Sequence, residues 1–223
     1  MLLLVLAAAG CADDTEPEPA VVVAPDVVAD RATAAVESVT TMRADVSLIS
    51  SYDDLPAVVA RAEAAIDLGA GIATLDTSIS LEPGADGGEE QSQEIVVVGD
   101  RAYRRDPGEE WESSGDTLVE VALAAFEEDG SDMAAAVTRI VLAAPAPWIA
   151  TTDGGVTTYV SADETSGAVV EVDIDDDGHL TRLVRSQPPF GADVDDLRRV
   201  GAETVFTGFD STTVEIPADL PPG

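Results

Sequence analysis

Between residues 26 and 50 the spacing of apolar positions changes period. Val28, Ala32, Ala35, Val36 and Val39 recur at helical intervals, with Asp26 in an acidic first turn, and predict a helix over Asp26 to Thr41. Its apolar stripe should pack on a sheet. From Arg43 to Ser50 the period falls to two, with Ala44, Val46, Leu48 and Ser50 set against Asp45, Ser47 and Ile49, as in a half-buried strand. Leu55 to Leu81 carries two signals. Residues 57–66 are rich in helix formers, whereas Ile72 to Leu81 alternates, and Gly69-Ala70-Gly71 between them marks a turn. Propensity alone gives helix then strand; a hairpin is the other reading.

Pro83 to Gln93 reads as a Gly-rich acidic loop. Beyond it, β-branched Glu94 to Val98, the turn Gly99-Asp100 and the return Ala102 to Arg105 form a tight hairpin bearing Tyr103, with Trp111 shortly after. A helical block follows, Asp116 to Glu128 with Leu118, Val121, Ala122 and Ala125 on one face, then Asp132 to Ala144, stopped by Pro145 and Pro147. The last third returns to strands: Val156 to Ser161, Ala168 to Ile174, His179 to Ser186, and Glu203 to Phe209 running into Thr212 to Ile216. Asp175-Asp176-Asp177-Gly178 is predicted as a type I′-like turn joining the second of these to the third. Strands, helices, then strands, without regular βαβ alternation, give an α+β class: an antiparallel sheet with helices on one face. There is no internal repeat and no sign of a second domain.

Composition narrows what such a fold can do. The 223 residues include 44 acidic and 11 basic ones, all 11 being Arg, for a formal charge of −33. Nucleic acid is thereby a poor ligand, because phosphate binding draws its affinity from Lys and Arg. An anionic membrane surface repels such a chain, so attachment to a bilayer requires a hydrophobic anchor. The 45% apolar content is that of a folded chain. One His and one Cys exclude most His-based catalysis, the usual Zn sites and any intrachain disulfide.

The anchor is suggested at the start of the chain. Leu2 to Ala9 is an apolar run shorter than the about 20 residues a spanning helix needs, and it reads as the hydrophobic part of a leader, residues 1–10. Ala8-Ala9-Gly10-Cys11 then resembles the lipobox of bacterial lipoproteins: small side chains admit the peptide to the processing site, and the Cys11 thiolate takes a diacylglyceryl group. Ala8 stands where Leu is usual, and no Lys or Arg precedes the run. A plain secretory leader with a chance cysteine is the alternative. Residues 11–25, with Asp13, Asp14, Glu16, Pro17, Glu18, Pro19 and Pro25, are expected to be a solvated tether after lipidated Cys11.

Three features together resemble the LppX_LprAFG family of actinobacterial lipoproteins, which share the LolA-like fold. They are Cys11, the hairpin Ile95 to Tyr103 followed by Trp111, and the hairpin Val172-Asp173-Ile174-Asp175 to Gly178-His179-Leu180; the closing Val214-Glu215-Ile216-Pro217 also fits. The resemblance spans residues 26–223 as a single LolA-like domain and favours a hairpin over 55–81. It implies a strongly curved antiparallel sheet, a half-barrel, with helices covering its concave face around an apolar cavity. The function implied is a lipid-anchored protein on the extracytoplasmic face of the cell membrane that binds or carries lipid or acylated cargo, without enzymatic activity, and works as a monomer. A structural or regulatory envelope lipoprotein that binds another protein is the second reading. The lipidation residue, Cys11, is the one functional position that transfers.

Other motifs are weaker. Asp173-x-Asp175-x-Asp177-Gly178 matches the first half of an EF-hand loop, but Val184 stands at the twelfth position and strands flank it, so a solvated turn is expected and no metal or cofactor. Gly69-x-Gly71 lacks the third glycine of a dinucleotide site. His179 is expected exposed and without partners. No Gly-x-Ser-x-Gly elbow occurs. Trp111 and Trp148 are read as core rather than as cavity lining.

Overall fold

A computed structural model describes residues 19–52, 55–81, 91–123, 132–145, 147–163, 165–187 and 199–221. In chain order the elements are β1 (Val21–Val23), α1 (Pro25–Glu37), β2 (Thr41–Tyr52), β3 (Leu55–Asp67), β4 (Ile72–Leu81), β5 (Gln91–Val98), β6 (Arg101–Arg105), β7 (Glu112–Ser114), α2 (Leu118–Leu123), α3 (Met133–Ala143), β8 (Trp148–Asp153), β9 (Val156–Asp163), β10 (Ala168–Asp175), β11 (Leu180–Gln187) and β12 (Arg199–Thr207). Among the described residues the strands form one 12-stranded antiparallel sheet in the order β1-β8-β9-β10-β11-β12-β2-β3-β4-β5-β6-β7. Its edges, β1 and β7, do not pair with each other, so the sheet is open.

The sequence period explains most of this. Pro25 opens α1, where its missing N–H costs nothing, and the helix ends at Ser38, whose hydroxyl bonds the Ala35 carbonyl at 2.8 Å. It stops short of the expected Thr41 because β-branched Thr40 and Thr41 turn into β2. The 55–81 stretch is a hairpin, β3 against β4 in register from Val58↔Leu81 to Asp67↔Ile72, closed through Gly71 at φ 65°. Ala and Glu in β3 forgo a helix preference of at most about 0.7 kcal/mol per residue, since ladders to β2 and β4 hold the strand from both sides.

Three expectations need correction, and one strand was not foreseen. The fold begins before residue 26: Val21–Val23 is an edge strand paired with β8, so the tether cannot extend to Pro25. Trp148–Asp153 is a strand, turned into β9 by Gly154-Gly155 at φ 55° and 84°. The turn after Asp175 is not I′, since only Gly178 has positive φ (85°). The bonds Gly178 N–H to Asp175 C=O (3.0 Å) and Asp175 N–H to His179 C=O (3.0 Å) make it a type I turn with a glycine bulge. Thr212 to Ile216 is no strand: Gly208 (φ 63°) and Asp210 (φ 53°) turn the chain out of the sheet, and the Asp210 carboxylate accepts the Thr40 N–H at 2.6 Å.

One face of the sheet carries the core. Across the strands, Trp148, Tyr159, Val172, Leu183, Phe206, Ala44, Ala64, Leu75 and Val97 point to the same side and join one buried cluster with Val28, Ala32 and Val36 of α1, Leu118 and Ala122 of α2, and Met133, Val137 and Val141 of α3. The helices therefore lie on this apolar face. Thr33 of α1 and Thr138 of α3 meet hydroxyl to hydroxyl at 2.5 Å, and the buried Thr204 hydroxyl donates to the Ala122 carbonyl at 3.2 Å, tying α2 to β12. No helix among the described residues is long and apolar enough to cross a membrane.

Candidate functional site

The apolar face is filled at its centre and open at its margins. Trp148, Tyr159, Phe206, Ile66, Leu118 and Met133 are each at least 98% buried between the helices and the sheet. Small side chains on the helices leave space where the helix layer meets the strands. The largest described groove, about 510 Å³, runs between Ala34, Ala35 and Ser38 of α1 and Tyr159 and Ile174 of β9 and β10, with Asp175, Asp176 and Asp177 at one end. Arg31 of α1 bonds the Tyr159 hydroxyl and lies over its ring, 5.8 Å from the centroid, forming a polar post on the rim.

A second opening, about 390 Å³, lies between the end of α1 at Val36 and Val39, the β3–β4 turn at Leu68, and Met133 at the start of α3, with Glu37 and Asp132 on its rim. A third, about 160 Å³, lies under the last turn of α3 beside the start of β10 and the end of β11. The first two fall in the range of small-molecule pockets, about 300–1,000 Å³.

The opposite face of the sheet is polar. Arg182 on β11 gathers Glu171, Asp173 and Glu203, with Nε 2.5 Å from Glu203 and Nη1 3.4 Å from Asp173. Burial alone would lower its pKa, but the bonds to Glu203 and Glu171 outweigh that and hold the guanidinium above its ordinary value. Arg105 on β6 is likewise raised, chiefly by its hydrogen bond to Glu94, and stands 4.4 Å over the Trp111 ring. The same Arg105 bonds Asp219 at 3.0 Å. The chain after β12 is thus pinned at Thr40 and Thr41 by Asp210 and at β6 by Asp219.

The residues singled out in the sequence are scattered. Cys11 and the leader lie outside the described residues, as does the 82–90 loop, while Gln91–Gln93 belong to β5. Trp148 is fully buried in the core. Trp111 is buried too, on the polar side of the sheet beneath Arg105. His179 is not free: its ring stacks on Phe209 at 4.4 Å, and its Nδ1 lies 3.3 Å from Asp175 Oδ2. Asp175, Asp177 and His179 bring donor atoms within 4.8 Å of one another, but Asp173 faces Arg182 and Val184 lies in β11, so no EF-hand forms. Two features escaped sequence reasoning: the place of the α1 groove, where Ala34 and Ala35 meet Asp175 to Asp177 of a turn distant in sequence, and the inward Arg185 of β11. The latter was legible in principle, since it shares a face with Leu183.

No family model and no curated protein matches the chain. Among solved structures, the crystal structure of a LolA superfamily protein from Nitrosomonas europaea is similar at 11% identity, over 87% of this chain and 96% of that one, with a TM-score of 0.33.

Proposed function

We propose that this chain is a lipid-anchored extracytoplasmic protein, held to the cell membrane through Cys11, which shelters an acyl-chain ligand between its helix layer and its sheet. The architecture is read as a LolA-like half-barrel of the LppX_LprAFG kind: an open sheet of this many strands tends to curl, and the helices then sit in its hollow. The observation that carries the reading is the groove of about 510 Å³ between α1 and β9–β10, in which Ala34, Ala35 and Ile174 offer apolar surface and Arg31, Asp175, Asp176 and Asp177 are charged lining. Each CH₂ moved there from water contributes about 0.8 kcal/mol, so a chain needs no specific polar contact to be held. No catalytic machinery enters this reading.

Ala34 lines that groove from the exposed side of α1, so Ala34→Trp fills it without disturbing the core. The variant should fold normally and lose most of its capacity for a fluorescent fatty-acyl probe; full retention of probe binding would remove the groove from the account. Anchoring is tested separately, since Cys11→Ser should move the protein from the membrane fraction to the soluble one.

The second reading, docking of another envelope protein, is favoured by one observation. Edge strand β1 exposes Val21 (56%) and Val22 (72%) beside Ile149 (44%) of β8, an apolar edge open to strand addition. Cross-linking from position 22 in intact cells should capture one partner reproducibly if this reading holds, and none if the edge stays free.

A further inference from the structure

The turn between β10 and β11 gathers the single imidazole of the chain with two carboxylates. Donor atoms of Asp175, Asp177 and His179 all lie within 4.8 Å of one another. This is not the calcium loop that the alternating aspartates suggest, because Asp173 is held by Arg182 on the polar face of the sheet. A nitrogen ligand joins the set in its place, and that changes which ion the set suits.

The Asp175 carboxylate is divided between two tasks. Its Oδ1 accepts the His179 backbone N–H at 2.8 Å, while its Oδ2 stands 3.3 Å from His179 Nδ1. That second separation exceeds the about 2.7–3.2 Å of an N–H···O hydrogen bond. It does match two ligands of one ion: atoms about 2.1 Å from a zinc stand about 3.0 Å apart at octahedral angles and about 3.4 Å apart at tetrahedral ones. The imidazole is also held from outside the turn. Its ring stacks on Phe209, beyond the end of β12, with centroids 4.4 Å apart and planes 13° from parallel. This contact owes nothing to the carboxylates, and it fixes the ring before an ion arrives, so less freedom is lost on binding. The Asp175 and His179 side chains are each 26% exposed and so are reachable from solvent. Asp177 is exposed and makes no hydrogen bond or ion pair with the other described residues, which leaves its carboxylate able to close on an ion.

The donor set selects the metal. Carboxylates alone suit magnesium and calcium, whereas an imidazole among them suits zinc, nickel and copper. Two carboxylates and a neutral imidazole together carry two negative charges, which a divalent cation balances. Three protein ligands leave the remaining position to water. We propose that Asp175, Asp177 and His179 bind one divalent ion of the zinc class at the end of the α1 groove, where Asp175 and Asp177 are lining residues. The site stands independently of the acyl-chain reading.

The test is calorimetric titration of the mature chain carrying Cys11→Ser with zinc chloride, in an excess of magnesium that occupies loosely held carboxylates. The substitution also removes the one thiol that could compete for zinc. One equivalent of zinc should bind, and His179→Gln and Asp177→Asn should each weaken it about tenfold or more. Asp176→Asn removes the same charge one position away from the ligand set and should leave the affinity within about twofold. A readout independent of these variants comes from the sole histidine, whose imidazole proton resonances should shift with one equivalent of zinc and broaden with nickel. Thermal unfolding checks that each variant is folded. Zinc binding that is indifferent to His179→Gln, or equally sensitive to Asp176→Asn and Asp177→Asn, would show diffuse attraction to carboxylates and overturn the site. Imidazole resonances unmoved by either metal would overturn it as well.

Discussion

Single residues carry much of the stability on the polar side. Arg182 neutralises Glu171, Asp173 and Glu203 at once, so Arg182→Met leaves three carboxylates together with no cation between them. With about a third of the Arg182 side chain exposed, the cost is expected near 2 kcal/mol, less than for a fully buried pair, and urea unfolding measures it. Gly208 is constrained twice over: at φ 63° a side chain is strained, and an added Cβ would stand 2.9 Å from the Thr212 hydroxyl. Gly208→Ala should therefore lower stability by about 1–2 kcal/mol in the same assay.

Asp163 shows how pH enters. The Ser166 hydroxyl, with the Thr165 N–H, holds its carboxyl below the ordinary value of 3.8. Because the folded value is the lower one, this contact stabilises the protein above the ordinary carboxylate range and is lost as pH falls through the depressed value. Ser166→Ala should therefore lower stability slightly at neutral pH and change little below the depressed value, flattening the acid-side fall that urea unfolding across pH measures. At this scale the sequence was least legible. His179 read as solitary because its partners, Phe209 and Asp175, are set by a strand end and a bulge that spacing does not encode.

At the scale of elements, alternation was a dependable guide and isolated propensity was not. Ala44 and Val46 sit inside as their period in β2 indicates, and β3 is a strand despite its alanines because two neighbours claim its backbone. β8 was overlooked although Thr152-Asp153-Gly154-Gly155-Val156-Thr157 has the two-glycine signal of a tight hairpin. β1 was assigned to the tether because prolines surround it, and three valines suffice once β8 offers an edge. A cavity was expected between helices and sheet, but the places of the grooves could not be read, since they depend on how closely two layers approach.

The register also sets Asp45, Glu63, Asp76 and Glu94 directly opposite one another across β2 to β5, with Arg105 of β6 neutralising the last. Like charges so placed repel, so Glu63→Gln should stabilise the protein by about 0.5 kcal/mol, a small rise in thermal midpoint that a scan resolves.

For the whole molecule the same repulsion is general. A chain of net charge −33 should gain thermal stability as salt rises from about 10 mM to about 500 mM, because screening relieves repulsion among exposed carboxylates more than it weakens the few Arg pairs. A midpoint that falls with salt would show that the arginine networks dominate instead. The antiparallel α+β class was legible from the order of strands and helices. The tether, the hairpin turn and the terminal segment were each misjudged at a boundary.

The central claim, that apolar ligand lies between helices and sheet, is most directly tested by native mass spectrometry of the mature protein carrying Cys11→Ser, purified without detergent. The account predicts a population heavier than the bare chain by the mass of an acyl-bearing molecule, released on denaturation and depleted in Ala34→Trp. A single species at the mass of the bare chain, for both proteins, would contradict it.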